Sequence, residues 1–598
     1  MSLSMETMND VEINQALSKV LDIVEMEQEK EFVSNAELFD QLIKAFSLES
    51  NLVPTSVSQD YVGLHLGTLY EDNDFSLLLK SFKNNQKLDP FYALKIINDA
   101  KEKFAQLSNI NECVVDELCD QGCIVVGDLH GNFNDLYHLI EKYGMPGASY
   151  KFIFNGDIVD RGAKQLEVLL TILYSFLVRP RRVYLNRGNH EDITMNSSPL
   201  FQPNFLTSCK NVYSKYGLAV FESANELFAA LPLATSLQSK SGNYRYFVVH
   251  GGISDTLDLD YVRSRLDRFS FDKVSLVRSR QKKNKSVSEM LWSDPIRIVD
   301  GVIYPKQAKK STGCFFNKNR NLGCIFGKDV TEKFCKKYSY NGIIRSHEVR
   351  QKGFSVDHSR CFTIFSASYY CGADNYGSVF KFLPTDTTFE VYAYKNLPGD
   401  LSSLVIERNT FLLKHFKMMI QRKEKHLMSR FEIFDLEKNG TLRTDLWADI
   451  VSKAFNSEIS VRHLKAIKDF LCECETNLDC VNYRSLFRKS GHVRSSEEKQ
   501  FLDLVTNLFE ILDRNNDKKI SVTEARYALD VINQNLGTKF LVQKDCFNFI
   551  KQMDKNGDNH VDLDEFMQAF MESEYLKDDQ DLCDSEDSDN SDVQIFKL

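Results

Sequence analysis

The sequence predicts an α/β layered domain followed by an all-α module, on three observations. Between about residues 120 and 395 short apolar runs recur (CIVVG, YKFIFNG, RVYLNRG, YRYFVVHGG, NGIIRSHE and CFTIFSAS), each the length of a buried strand and each ending at a Gly or polar cluster. Helical patterns such as NDLYHLIEKYG and KQLEVLLTILYSFL lie between the first three, and strand alternating with helix argues for layers. From residue 409 onward the strand texture disappears, and helical segments are punctuated by Asp/Asn/Gly clusters.

Length and composition agree with this plan. The 598 residues are about four times the ~150-residue prior for one domain. With 43% apolar and 26% charged residues, a wholly disordered or low-complexity chain is excluded. The longest uncharged apolar run, Val168 to Val178, is eleven residues, short of the ~20 needed to span a bilayer. The start, MSLSMETMNDVEINQ, is acidic where a secretory signal is basic and then apolar, and Ser2 stands where myristoylation needs Gly. The fourteen cysteines include no CxxC pair, so reduced thiols and a cytoplasmic location are expected, with the nucleus also open. The net charge of −10 is concentrated at the end: residues 571–598 alone sum to −8, which reads as a solvated acidic tail. Basic residues are spread out with no aromatic-interleaved face, so nucleic acid is not an expected partner.

In chain order, residues 1–110 read as a helical extension, with Pro90 placed as a first-turn proline. Residues 111–400 are the layered domain, 401–430 a linker helix, 431–575 the helical module and 576–598 the tail.

The residues directly after each short strand carry the chemistry. CIVVG is followed by Asp128 and His130, and FIFNG by Asp157, Asp160 and Arg161. VYLNRG is followed by Asn189 and His190, YFVV by His250, and GIIR by His347. Ligand sites in α/β sheets gather beyond the carboxyl ends of strands, so these turns are expected to share one crevice. Asp, Asn and His are oxygen and nitrogen ligands suited to divalent metals, and the set is large enough for two metals sharing a carboxylate. One Asp-x-His alone is more often a satisfied polar pair; five such turns in order, each at a strand end, are not coincidence.

These blocks resemble the signatures of the phosphoprotein phosphatases, the serine/threonine family that includes type 1, type 2A and calcineurin. The resemblance lies in Gly127-Asp128-Leu129-His130-Gly131, Gly156-Asp157-Ile158-Val159-Asp160-Arg161-Gly162 and Arg187-Gly188-Asn189-His190-Glu191. Downstream it continues in His250-Gly251-Gly252, Leu291-Trp292-Ser293-Asp294-Pro295, Arg345-Ser346-His347 and Ser366-Ala367-Ser368-Tyr369-Tyr370-Cys371. It implies a metallophosphoesterase-type layered β-sandwich with flanking helices. It also implies that Asp128 and His130 hold one metal, that Asp157 bridges, and that Asn189, His250 and His347 complete the second site. Manganese, or iron with zinc, is the implied pair. By the same resemblance Arg161 and Arg320 bind phosphate, Tyr370 lines the phosphate pocket, and His190, held by Asp160, is the general acid. Ser368-Tyr369 stands where the family commonly has Pro-Asn, a departure beside the site.

Two runs near the C-terminus place oxygen ligands at positions 1, 3, 5, 7, 9 and 12, the EF-hand calcium pattern. The first uses Asp513, Asn515, Asp517, Lys519, Ser521 and Glu524, and the second Asp554, Asn556, Asp558, His560, Asp562 and Glu565. Position 6 needs a left-handed backbone: Asn559 tolerates it, whereas Lys518 costs about 1–2 kcal/mol. Loops starting at Asp435 and near Cys474 look like degenerate hands, which makes the module an all-α EF-hand domain of two empty and two complete hands. A phosphatase followed by EF-hands resembles the EF-hand protein phosphatases of the retinal degeneration C type. That family implies a calmodulin-binding IQ motif. The match here is the segment 420–430, IQRKEKHLMSR, for which a plain linker helix is the favoured reading.

The expected function is a calcium-regulated protein serine/threonine phosphatase acting on phosphoproteins through a two-metal-activated water. The alternatives are a calcium-sensing scaffold with an inactive phosphatase domain, or a metallophosphatase for small phosphoesters.

Overall fold

The computed structural model describes residues 53–198, 201–271, 285–299, 302–396 and 413–487 apart from short interruptions, together with positions within 20–24, 517–521 and 554–565. Two compact units divide the chain at residue 496.

The apolar runs form the strands β1 (Ile110–Val115), β2 (Gly122–Val126), β3 (Tyr150–Phe154), β4 (Val183–Leu185), β5 (Ala234–Ser239), β6 (Arg245–Val249), β7 (Gly342–Arg345), β8 (Phe354–His358), β9 (Cys361–Ile364), β10 (Gly377–Phe382) and β11 (Phe389–Tyr394). A six-stranded sheet runs β1-β5-β6-β7-β9-β8, and a five-stranded sheet runs β11-β10-β2-β3-β4. β2, β3 and β4 are parallel, as are β6, β7 and β9, so each sheet presents a group of carboxyl ends side by side.

The two-residue period of a strand decides which layer each side chain enters. Cys123 and Val125 of β2 meet Leu237, Val248 and Ile344 in a core between the sheets. Their neighbours Ile124 and Val126 face the other way, into a core with the helices Phe133–Tyr143, Gln165–Val178 and Gly217–Ala230. Phe247, Val249 and Ile343 face a third core with Lys285–Trp292 and Lys328–Tyr338. The layers run helix, sheet, sheet, helix. Central strands buried on both faces read as continuous apolar runs rather than alternating ones. The eleven-residue run Val168–Val178 lies in a helix buried almost all round, which explains its apolar character as core. No described helix is long and apolar enough to cross a membrane.

The helices Asp72–Lys83 and Pro90–Ala105 form as the sequence suggests. Asp89 caps the second, accepting from the Phe91 N–H at 2.9 Å, and Pro90 opens it. Phe75, Leu78, Ile97 and Phe104 lie in the same core as Ile124 and Phe152. The expected boundary at residue 110 thus falls between a helix and a strand that belong to one packed body.

In the helical module, helices Glu424–Phe434 and Thr444–Ala454 flank the first degenerate loop. β12 (Thr441–Arg443) pairs with β13 (Cys480–Asn482), setting Leu442 opposite Val481. The two degenerate loops therefore pair as EF-hands do, without intact calcium ligands. Asp435 instead accepts from the N–H groups of Asn439 and Gly440 and from the Tyr483 hydroxyl. One apolar cluster joins Val20, Leu21, Ile23 and Val24 to Phe416, Ile420, Phe431, Trp447 and Val481, and it also takes in Ala373.

Because Phe104 is fully buried and stacks on Phe176 at 4.0 Å between centroids, its helix is part of the fold rather than an appendage. Phe104→Ala should destabilise the phosphatase domain by about 3–5 kcal/mol. Thermal unfolding that leaves the domain's midpoint unchanged would contradict this.

Candidate metal centre

Every candidate ligand sits just past a strand's carboxyl end: Asp128 and His130 after β2, Asp157 after β3, Asn189 after β4 with the expected acid His190 next to it, His250 after β6 and His347 after β7. The two sheets are joined there by an isolated parallel bridge between Asp128 and Phe365. All six candidate ligands are buried, with Asn189 and His250 fully so.

Asp157 is common to two groups. Its carboxylate lies with a ring nitrogen of His130 and one of His190, and again with nitrogens of His250 and His347; within each group the atoms lie no more than 4.8 Å apart. Its Oδ2 is 3.5 Å from His130 Nε2 and 3.3 Å from His250 Nε2. The tautomers follow from the partners. His130 Nδ1 is 2.8 Å from the Val159 carbonyl, and His250 Nδ1 is 2.9 Å from the Asn155 carbonyl. A carbonyl only accepts, so each Nδ1 carries the proton and each Nε2 turns a lone pair inward. His250 Nε2 and Asn189 Oδ1 then oppose two lone pairs across 2.8 Å. His347 Nε2 is buried with no hydrogen-bond partner. Acceptors converging without a donor between them fit divalent cations.

Electrostatics say the same. Burial, aided by Asp157, pushes the Asp128 carboxyl up to about 8. Burial likewise drives His130, His250 and His347 down from their ordinary value, so the imidazoles are neutral and able to ligate.

The remaining residues expected at the site gather around this centre. His190 Nδ1 is 2.6 Å from Asp160 Oδ2, and burial pushes that carboxyl well up. Asp160 Oδ1 accepts from the Phe205 N–H at 2.9 Å, which fixes the pair in place. The Arg161 guanidinium lies 4.9 Å from the centroid of the Phe201 ring. Arg320 Nε donates to Asp294 Oδ2 at 2.6 Å, and its NH2 group lies 3.5 Å from the His347 carbonyl. The Tyr370 ring centroid is 5.1 Å from that of His130.

The turns are tight. Of the fourteen described non-glycine residues at positive φ, His130, Asp157, Asp160, Arg161, His347, Tyr369 and Cys371 lie here. Such conformations persist only where the surroundings over-determine them. Close approach also demands glycine: a Cβ on Gly188 would lie 2.3 Å from the Asp157 N and Oδ1.

Sequence reading gave no role to three residues that support the ligands. Glu191 accepts from the N–H groups of Asp157 at 2.7 Å, Ile158 at 2.8 Å and Gly188 at 2.9 Å. Asn155 donates to the Val249 carbonyl at 3.0 Å and the Ser346 hydroxyl at 2.9 Å, tying the turn after β3 to the other sheet. Asp294 holds Arg320 and also accepts from Arg345 at 3.0 Å. The available signal was an Asn directly after an apolar strand and a carboxylate inside a signature block.

The calcium loops are described in part. β14 (Lys519–Ser521) pairs with β15 (His560–Asp562), with Ile520 opposite Val561. Lys518 does adopt a left-handed backbone, φ 66°. Asp554 Oδ1 accepts from the Asp558 N–H at 3.1 Å, and Asp558 Oδ1 from the His560 N–H at 2.9 Å. Asp517 accepts from the Lys519 N–H at 2.9 Å, while the Lys519 ammonium lies 2.5 Å from Asp558 of the other loop. Glu565 Oε2 accepts from the Asp562 N–H at 3.1 Å. Asp513, Asn515, Glu524 and Asn556 lie outside the described residues. In the IQ-like segment Ile420 is fully buried, and Gln421 donates to the Leu486 carbonyl at 2.7 Å.

Comparison with known proteins matches this geometry. The calcineurin-like phosphoesterase family model covers residues 123–351, and the EF-hand domain pair covers 504–571. The chain is 28% identical over 554 residues to serine/threonine-protein phosphatase with EF-hands 1 of Rattus norvegicus, covering 86% of this chain and 82% of that one. It is 29% identical to serine/threonine-protein phosphatase rdgC of Drosophila melanogaster, covering 87% and 78%. To serine/threonine-protein phosphatase T of Aspergillus oryzae it is 33% identical, covering 60% of this chain and 68% of that one. With its ligand set assembled at the strand ends and these relatives across most of its length, the chain belongs to the serine/threonine-protein phosphatases, in the group that joins a calcineurin-like phosphoesterase domain to EF-hands.

Proposed function

We propose that the chain hydrolyses phosphoserine and phosphothreonine in phosphoproteins at this centre, with turnover raised by calcium bound to the two complete EF-hands. The observation that carries the reading is Asp157, one buried carboxylate common to two groups of inward-facing imidazoles. Two divalent cations held by Asp128, His130, Asp157, Asn189, His250 and His347, with manganese or an iron–zinc pair as the proposed filling, would supply an activated water and neutralise phosphate charge.

The chain's own side chains do the rest. Arg161 and Arg320 offer planar guanidinium groups to the phosphate oxygens, a bidentate contact that lysine would not make. Asp294 orients Arg320 through Nε, and the Arg320 NH2 group lies beside the carbonyl of the candidate ligand His347. A seryl or threonyl alkoxide is a poor leaving group and must be protonated as the P–O bond breaks. Asp160 engages His190 Nδ1, so Nε2 is the nitrogen that gives the proton. Tyr370, beside His130, closes one wall of the phosphate pocket. An inactive scaffold would not be expected to keep this complete set, and a small-phosphoester enzyme does not account for the EF-hands. The buried Ile420 and bonded Gln421 favour a linker helix over a calmodulin contact at 420–430. Within residues 1–496 the degenerate hands pack close to Tyr370, which supports coupling between the helical module and the site. The cluster around the degenerate hands takes in Ala373 with Cys371 packed against it, and Cys371 also packs against the cluster of Phe365 and Tyr370.

His190→Ala should lower kcat by about 10²–10⁴ on a phosphoserine peptide while both metals stay bound. The loss should be smaller on aryl phosphates, whose leaving groups need less protonation, and equal losses on both would remove His190 as the acid.

Removing the metals should make stability depend on pH. The folded pKa values of Asp128 (about 8) and Glu191 (about 7) are raised by burial, so their contribution to the metal-free fold is present below about pH 4 and lost as pH rises through 7 and 8. Thermal midpoints in chelator should fall between about pH 7 and 8, above the range in which the lowered imidazoles of His130, His250 and His347 act in the opposite sense, and added divalent metal should restore them. A flat profile in chelator would count against the charge balance described.

For calcium, activity should rise over roughly 10⁻⁷–10⁻⁵ M free ion. Glu565→Gln should move the response to higher concentration more than Glu524→Gln, because the left-handed Lys518 already weakens the first loop. The reverse order in a calcium titration of phosphatase rate would refute the ranking.

A further inference from the structure

The loop carrying Tyr370 departs from helix and strand geometry, and its backbone is strained on both sides of that residue. Tyr369 has φ 51° and Cys371 φ 47°, left-handed values at side chains that do not favour them. Something must hold this conformation against relaxation. One buried group outside the metal set is built to do so. Asp135, in the first turn of the helix Phe133–Tyr143, is fully buried, and its two oxygens accept four hydrogen bonds. Oδ2 accepts from the Ser368 N–H at 2.6 Å and from Asn132 Nδ2 at 2.6 Å. Oδ1 accepts from the Ser368 hydroxyl at 2.9 Å and from Asn396 Nδ2 at 2.7 Å. Ser368 is gripped at its other groups too: its carbonyl accepts from Asn132 Nδ2 at 3.1 Å, and its hydroxyl oxygen accepts from the Asn396 N–H at 3.2 Å.

Two residues beyond Ser368, Tyr370 lies beside His130, and Asn375 accepts from its N–H at 2.9 Å. Burial pushes the Asp135 carboxyl up to about 7 while its donors hold it down, and the group stays in place because each of the four donors left unpaired would be costly. The same carboxylate links three segments distant in sequence: the helix start at Asn132, the loop at Ser368 and the segment after β11 at Asn396.

We infer that Asp135 is a positioning residue for the phosphatase reaction. With Ser368 it holds Tyr370 at the phosphate pocket and so sets affinity for the phosphorylated substrate, without itself touching metal or phosphate. The inference rests on the reading of Tyr370 as a wall of that pocket.

The test uses the full chain loaded with metal, and a phosphoserine peptide. KM, kcat and metal content are measured for Asp135→Asn, Ser368→Ala, Tyr370→Ala and the two double variants with Tyr370→Ala. Asp135→Asn replaces an acceptor oxygen with an amide that faces donors. It should raise KM roughly ten- to hundredfold, the worth of hydrogen bonds to a charged group, with kcat changed less and metal content unchanged. Ser368→Ala should raise KM by a smaller factor, roughly threefold to tenfold. In the Tyr370→Ala background each change should add no more than about twofold, because the group they position is already gone. Independent, multiplying losses would overturn the inference while leaving Tyr370 in the pocket. A Tyr370→Ala variant with unchanged KM would overturn the pocket reading, and the inference with it. If Asp135→Asn yields no folded protein, Ser368→Ala and its double variant carry the same comparison.

Discussion

Burying carboxylates and imidazoles together at one point is the constraint on which the rest of the structure depends. Asp128 and Asp157 are buried where the strands end, Asp157 among the ring nitrogens of His130, His250 and His347 and Asp128 accepting from the His347 N–H. A charge so placed is very unfavourable unless compensated. Everything near the centre can be understood as serving that compensation. Backbone carbonyls fix the imidazole tautomers, Glu191 grips three N–H groups of the ligand turns, and Asn155 ties one sheet to the other.

The strain in the turns follows from the same constraint. Five ligand-bearing turns can meet only where parallel strands end side by side in two facing sheets, and the chain must reverse sharply at each. The left-handed residues His130, Asp157, Asp160, Arg161 and His347 are the local expression of that crowding, and the glycines beside them admit neighbouring backbone where a Cβ would collide. A rigid four-layer support makes such turns affordable. It also means that helices N-terminal to the signature blocks, with Phe75 and Phe104 in the core, are part of the support for the site.

The helical module uses the EF-hand plan in two ways. The degenerate pair keeps the inter-loop strand pairing and an apolar cluster but turns Asp435 inward to its own loop, so it acts as architecture. The complete pair keeps its ligand types, and its two short strands pair in the same register. The cluster around the first pair reaches Ala373, close behind Tyr370 in sequence, and Cys371 packs against both that cluster and the one holding Tyr370.

By itself the sequence determined the layered class and the presence of a phosphoesterase domain with EF-hands, and it pointed to the residues that the structure brings together past the strand ends. Those properties are written locally: an apolar run of strand length, a ligand directly after it, a loop with oxygens at fixed intervals. The left-handed Lys518 was likewise legible, because position 6 of a calcium loop imposes its backbone whatever the residue. What only the tertiary structure decided are relations between segments far apart in the chain. That helices 72–105 share the core of the sheets, that Val20, Leu21, Ile23 and Val24 are buried with Ile420, and that Asp294, Glu191 and Asp135 hold Arg320, the ligand turns and Ser368 are facts of packing. A buried carboxylate chooses its donors across the fold, over 233 positions in the case of Asp135 and Ser368, and no local pattern records that choice.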